Sequence, residues 1–283
     1  MSLLKHWKLA EKPFEELCDT RFFFESDDHR EALDRMLYVV NDRNMHMGLL
    51  TGEIGSGKTL TKTVFQNSLS KQFFETISFE NSHFSFTDIL FDAVSRITAN
   101  NKRSAHTAQT GAPQRHDAYS LMTVFKGLLE TLFFEEKRHL VLIFDEAQQM
   151  DDSVLDEVKN LTNISSETQS FLTVFFVGQP ELREKIKRMK QVDQRIFLRF
   201  HLNNLDYANT VKYIHHRLRI GGLQQCCMFT DPAMEIIFRM TGGVPREINR
   251  LCKLALTFGF TQGGGEISNE DIEIIVDDMN KHG

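Results

Sequence analysis

The stretch Gly52-Glu53-Ile54-Gly55-Ser56-Gly57-Lys58-Thr59 satisfies G-x-x-x-x-G-K-[ST] at every position. That motif demands a particular scaffold, with a buried strand leading in and a helix opening at its end. Both flanks are present. Met47-Gly48-Leu49-Leu50-Thr51 is a short apolar run that reads as a buried strand, and residues 60–71 read as a helix. In this setting the glycines let main-chain N–H groups turn inward around an anion at the helix N-terminus. Residues Gly52, Glu53, Ile54, Gly55, Ser56, Gly57, Lys58, Thr59 and Leu60 are therefore the candidate nucleotide-binding set. Lys58 would place its charge on the β- and γ-phosphates of ATP, and the Thr59 hydroxyl would ligate Mg²⁺.

The rest of the chain supplies the alternation that such a loop requires. Apolar runs at 76–79, 140–144, 172–177 and 200–202 read as further strands. Helical periodicity covers 28–41, 86–99, 118–136 and 153–162. Runs such as Leu140-Val141-Leu142-Ile143-Phe144 are apolar throughout, the pattern of a strand buried on both faces of a parallel sheet. The expected fold is α/β: a doubly wound, five-stranded parallel sheet of the P-loop NTPase kind. After Leu205 the pattern becomes wholly helical. Expected helices run over 207–220, 233–240 and 244–258, with a capping-box start at Ser268-Asn269-Glu270-Asp271. The expected organisation is a nucleotide-binding domain over 1–205 and a helical lid over 206–283. The first domain includes an aromatic lead-in at 1–25 and a polar loop at 100–117. That loop carries Lys102, Arg103 and Arg115 and reads as a solvated insertion or a contact loop.

Further site residues follow from position. The apolar strand ending in Asp145-Glu146 has the form of a Walker B element. Asp145 would hold Mg²⁺, and Glu146 would orient and deprotonate the attacking water. One strand intervenes between this element and the P-loop strand, so the two should be separated in the sheet. Gln179, just past the next apolar strand, is placed to touch the γ-phosphate and the lytic water. Arg195 and Arg199 lie before the last strand, and Arg195 is the favoured arginine finger reaching a neighbouring subunit's nucleotide. Arg246, at the start of a lid helix, would report nucleotide state to the lid.

Composition narrows the partners. The net charge is −6, so the whole molecule is not a basic nucleic-acid binder, although 183–199 holds seven cations against two anions. The four cysteines form no C-x-x-C pair and read as reduced thiols of a cytoplasmic protein. The N-terminus shows no signal-peptide pattern, and no apolar stretch reaches the ~18 residues that a membrane span needs.

Taken together, these motifs resemble the AAA+ superfamily, and within it the ExeA/GspA-like ATPases of bacteria. The resemblance is carried by Lys12-Pro13-Phe14, Asp19-Thr20-Arg21-Phe22-Phe23 and His29-Arg30-Glu31-Ala32-Leu33, then by the P-loop. It continues through Asp145-Glu146-Ala147-Gln148, Leu161-Thr162-Asn163, Gly178-Gln179-Pro180-Glu181-Leu182, Gln194-Arg195-Ile196 and Gly243-Val244-Pro245-Arg246. It implies ATP hydrolysis with Mg²⁺, assembly into a ring or filament, and a His29-Arg30 region near the adenine. Secretion-type members continue into a membrane span and a peptidoglycan-binding part. This chain stops after the lid, so it reads as part of such a protein or as a stand-alone soluble ATPase. Related transposition regulators of the TniB/TnsC type bind DNA as ATP-dependent oligomers. Two functions therefore stand: an assembly or secretion ATPase acting on protein partners, or an ATP-switched oligomer on duplex DNA. The acidic balance leans toward the first.

Overall fold

Five strands carry the fold: β1 (Met47–Gly52), β2 (Phe74–Phe79), β3 (His139–Phe144), β4 (Leu172–Gly178) and β5 (Ile196–Leu202), in the spatial order β2-β3-β4-β1-β5. The computed structural model describes residues 2–16, 18–80, 83–100, 118–223 and 228–282. The proposed contact loop, with Lys102, Arg103 and Arg115, lies outside the described residues, as do Cys226 and Cys227.

The register shows why the middle strands are apolar at every position. β1 pairs with β4 in parallel from Met47↔Val174 to Thr51↔Gly178. β4 pairs with β3 from Leu140↔Leu172 to Phe144↔Phe176, and β3 pairs with β2 from Phe74↔His139 to Phe79↔Phe144. Every residue of β1, β3 and β4 is buried. β4 separates the P-loop strand from the strand that precedes Asp145-Glu146, as the sequence predicts. The helices in sequence order are α1 (Leu3–His6), α2 (Asp27–Asp42), α3 (Lys58–Ser68), α4 (Phe86–Asn100), α5 (Ala118–Glu130), α6 (Asp152–Leu161), α7 (Pro180–Arg188), α8 (Lys190–Asp193), α9 (Tyr207–Ile220), α10 (Asp231–Thr241), α11 (Pro245–Gln262) and α12 (Asn269–His282).

Contacts divide the molecule into two compact units. One comprises Glu31–Gly52 and Val64–His201. Its core includes Ile89, Phe125, Leu129, Leu142, Phe144, Val174 and Phe176. Phe79 stacks on Phe144 with ring centroids 4.8 Å apart, a geometry that adds to simple area burial. Phe65 meets Phe175 edge-on at 5.1 Å. Gly48 admits the Phe175 ring, because a Cβ there would lie 2.5 Å from it.

The other unit comprises Met1–Arg30, Glu53–Thr63 and Leu202–Gly283. Trp7, Phe14, Ile214, Leu218, Ile237, Leu251 and Ile272 lie in one core, so the N-terminal lead-in packs with the C-terminal helices. The buried Arg217 fastens that arrangement: its guanidinium donates to the carbonyls of Pro13 (2.6 Å) and Glu15 (2.9 Å) and to the Tyr213 hydroxyl (3.2 Å). The capping box at Ser268 forms as expected, whereas α10 is capped by Thr230 and not by Asp231, which is its first helical residue. Ser268 and Asp271 exchange hydrogen bonds at the head of α12, and Thr230 accepts from the main-chain N–H of Ala233 at the head of α10.

Several bounds differ from expectation, and one pair of helices was not foreseen. β5 begins at Ile196 rather than at 200, so Arg199 lies inside an edge strand. The helix expected to run to 136 ends at Glu130 and passes into a wider turn over Thr131–Glu135, closed by Glu136 N–H donating to the Thr131 carbonyl. Residues 180–193 hold two short helices, α7 and α8, which the dense charge of that segment obscured. The helix after the P-loop runs over Lys58–Ser68 rather than 60–71.

Candidate nucleotide-binding and hydrolysis site

Within the second unit, the P-loop has the geometry of an anion cradle. Gly55 and Gly57 have φ of 81° and 99°, the left-handed region that only glycine enters freely. These conformations turn main-chain N–H groups to one side, and the loop opens the 11-residue helix α3. Lys58 is buried, and its ammonium donates to the Glu53 carbonyl at 2.8 Å, which holds it across the loop. The Ser56 hydroxyl is buried and has no hydrogen-bond partner among the described residues. A buried hydroxyl without a partner is costly, and a phosphate oxygen would supply one. The loop therefore fits a nucleotide triphosphate on the chemistry of its own residues.

Two residues of the same unit back the loop. The Arg246 main-chain N–H donates to the Gly55 carbonyl at 3.3 Å, and a Cβ on Gly55 would lie 2.7 Å from the Arg246 Cβ. Arg246 thus sits against the loop, with its guanidinium 3.7 Å from Glu16. His29 closes the other side. Its Nε2 lies 3.0 Å from where a Gly57 Cβ would stand, and its Nδ1 is 2.6 Å from the Ser26 hydroxyl. Burial holds this imidazole below the usual histidine range, although a hydrogen bond with the Ser56 main chain acts the other way. The P-loop wall is therefore uncharged at His29 at neutral pH.

The acidic cluster belongs to the first unit, at the C-terminal end of β3. Asp145 is buried, and its Oδ1 accepts from the Glu146 main-chain N–H at 3.0 Å. Glu146 adopts φ 51° and ψ 36°, a left-handed conformation that costs a non-glycine residue roughly 1–3 kcal/mol. Gln179 stands at the residue before α7, and its Nε2 donates to Glu146 Oε2 at 3.1 Å. Gln148, quoted in sequence only as a family letter, donates to the same oxygen at 2.6 Å.

Arg195 lies apart from this cluster. Its guanidinium donates to Asn163 at 2.7 Å, and its charge, after burial, helps to hold His46 below the usual imidazole range. His46 precedes β1, so Arg195 is at the N-terminal edge of the sheet. Thr51 and His201, at the other ends of β1 and β5, meet at 3.0 Å. Arg199 is bound within its own chain, to Asp193 at 2.8 Å.

Residues 42–186 match the family model described as the AAA domain. The chain belongs to the AAA domain family. This AAA chain is similar to the general secretion pathway protein A of Aeromonas hydrophila, at 31% identity over 271 residues. The alignment covers 94% of the chain and 46% of that protein, so the chain spans about half the length of the curated relative it matches. Among solved structures, it is similar to the ORC2 protein of Aeropyrum pernix with ADPNP and ADP. The TM-score there is 0.66 at 16% identity, over 95% of this chain and 72% of that one. The Cdc6p of Pyrobaculum aerophilum gives a TM-score of 0.62 at 16% identity, over 89% and 69%. The RuvB Holliday junction branch migration motor of Thermotoga maritima gives 0.55 at 15%, over 91% and 70%. These likenesses establish the P-loop NTPase fold. The family match and the secretion-pathway relative make the chain an ExeA/GspA-like AAA+ ATPase. Among the described residues, no helix is long and apolar enough to cross a membrane.

Proposed function

We propose that this ATPase hydrolyses Mg²⁺-bound ATP with Glu146 as the base, and that turnover switches assembly of several copies of the chain acting on a protein partner. Residues 52–60 hold the triphosphate, and Lys58 stabilises the charge that develops on the β/γ oxygens. Thr59 and Asp145 are the residues that would hold Mg²⁺, which supplies charge neutralisation on the phosphate oxygens. Water attacks the γ-phosphorus and its proton passes to the Glu146 carboxylate. The bond from the γ-phosphorus to the bridging oxygen breaks, and ADP leaves with the electron pair. Gln179 positions the water, and Arg246, in the 206–283 lid, reads the nucleotide state. The observation that carries this reading is the Glu146 carboxylate, held by two glutamine amides on a strained turn at the end of β3.

The partner class follows from the surface and from the relative. Of the seven cations over 183–199, Lys185, Lys187 and Arg199 form ion pairs with Asp152, Glu184 and Asp193, and Arg195 is bound to Asn163. Part of this basic run is thus engaged within the chain, and the net charge of the molecule is −6. The acidic balance and the secretion-pathway relative support a protein partner of a secretion or assembly system, met in the cytoplasm, over duplex DNA. Lys58→Ala should lose ATP binding, whereas Glu146→Gln should bind ATP, assemble with it in sedimentation velocity, and stall hydrolysis. Turnover at the wild-type rate in Glu146→Gln would remove Glu146 from its role. Tight duplex binding with a steep salt dependence would return the partner to DNA.

A further inference from the structure

The turn Ala147–Gln149 sets Gln148 between two elements. The Gln179 main-chain N–H donates to Gln148 Oε1 at 3.1 Å. A main-chain N–H can only donate, so this contact fixes which end of the Gln148 amide is oxygen. The Nε2 is thereby committed to Glu146 Oε2, at 2.6 Å. Gly178 leaves room for the arrangement, since a Cβ there would lie 2.5 Å from Gln148 Oε1. The Lys185 ammonium of α7 donates to the Met150 carbonyl just beyond the turn, which anchors the turn from the same side. Both ends of one amide are therefore used. One end is on the carboxylate after β3, and the other is on the main chain at the junction of β4 and α7.

We infer that Gln148 is a positioning residue for hydrolysis: it aims the Glu146 carboxylate and couples that aim to the end of β4. The inference rests on Glu146 as the base. The two amide donors, from Gln148 and Gln179, converge on Oε2, which leaves Oε1 as the oxygen that takes the water's proton. The left-handed backbone at Glu146 does not by itself point the side chain there, so the contacts must do so. Because the Gln148 amide also holds the Gln179 main chain, a shift of the β4 end relative to β3 moves the carboxylate. A shift at the end of β4 then turns hydrolysis on or off without any change in ATP binding.

The test is a cycle of Gln148→Met and Glu146→Gln in the full chain, read by single-turnover hydrolysis of labelled ATP and by binding of a fluorescent ATP analogue. Methionine preserves length but removes both amide contacts. Misplacing a reacting group by about 1 Å costs on the order of 100-fold, so the hydrolysis rate of Gln148→Met should fall roughly 10- to 100-fold with ATP affinity unchanged. In the Glu146→Gln background the same substitution should add no further loss, since it acts through the carboxylate. Gln148→Glu keeps an acceptor for the Gln179 N–H but repels Glu146, and it should be as slow as the methionine variant. It also serves as the readout if Gln148→Met fails to fold. A wild-type hydrolysis rate in both Gln148 variants while Glu146→Gln stalls would overturn the inference, as would an equal loss from Gln148→Met in both backgrounds. A Glu146→Gln protein that turns over normally is the separate failure of the base assignment.

Discussion

Arg195 can be tested by geometry as much as by chemistry. It immediately precedes β5, whose His201 meets Thr51 of β1, so it lies level with the start of β1, whereas Glu146 follows the far end of β3. From His46 to Thr51 the chain advances five residues, about 16 Å at the strand rise of ~3.3 Å per residue. That span lies beyond an arginine side chain, so Arg195 cannot serve the hydrolysis cluster of its own sheet. If it stabilises a transferring phosphoryl, that group belongs to another copy, across a head-to-tail interface. An arginine finger contributes roughly 10³–10⁵ in kcat, so Arg195→Ala alone should be nearly inactive while still binding ATP. Glu146→Gln, which keeps Arg195, should also be inactive. Mixed in equal amounts, they create sites with an intact Glu146 on one side and an intact Arg195 on the other. About a quarter of head-to-tail interfaces have that composition, so steady-state ATPase should recover to about a quarter of the wild-type rate. Activity that stays at the mean of the two parents, or an Arg195→Ala protein as active as wild type, would refute the argument.

The remaining predictions concern stability and the loop. Burial pushes the His139 imidazole from the usual 6.5 down to about 3. Above pH 6.5 folded and unfolded chains are both neutral there. Below it the unfolded chain takes up a proton that the folded chain refuses, so this residue alone should cost about 1.4 kcal/mol per pH unit. Burial lowers His29 and His46 too, with the same sign. Urea midpoints at pH 7, 6 and 5 should fall less steeply in His139→Gln, and identical slopes would contradict the assignment. Gly55→Ala puts a Cβ at φ 81° and 2.7 Å from Arg246, a strain of roughly 1–2 kcal/mol. ATP affinity, measured by fluorescent analogue, should drop about tenfold, and an unchanged affinity would mean that the loop need not keep this shape.

How much of this fold could be read from the chain depends on how each strand is buried. β1, β3 and β4 are covered on both faces, so they appear as unbroken apolar runs. β5 is an edge strand. Arg199 breaks its apolar run in two, so only the segment from 200 reads as a strand. α7 shows the same limit in a helix. It buries only Leu182 and Ile186, one turn apart, among four cations, so charge masks a period that is present. The wide turn at Thr131–Glu135 leaves no trace in sequence, because shifting a hydrogen bond by one residue alters the backbone while the side-chain types stay helical.

The site divides along similar lines. The P-loop is contiguous, and Gly55 and Gly57 each answer a local need, so eight letters suffice. Asp145 and Glu146 are legible because they end an apolar strand. Gln148 is not, because its meaning lies in Gln179, 31 residues later, and no spacing rule links a turn to the start of a distant helix. The one trace was an amide two residues after an acidic pair. Its significance comes from the backbone at Glu146, which sits in a conformation better suited to glycine or asparagine. A turn with no other duty could relax by adopting one of those residues. A carboxylate kept there, with the Asp145 side chain on its N–H and two amides on one oxygen, is a turn held strained so that one oxygen faces one way.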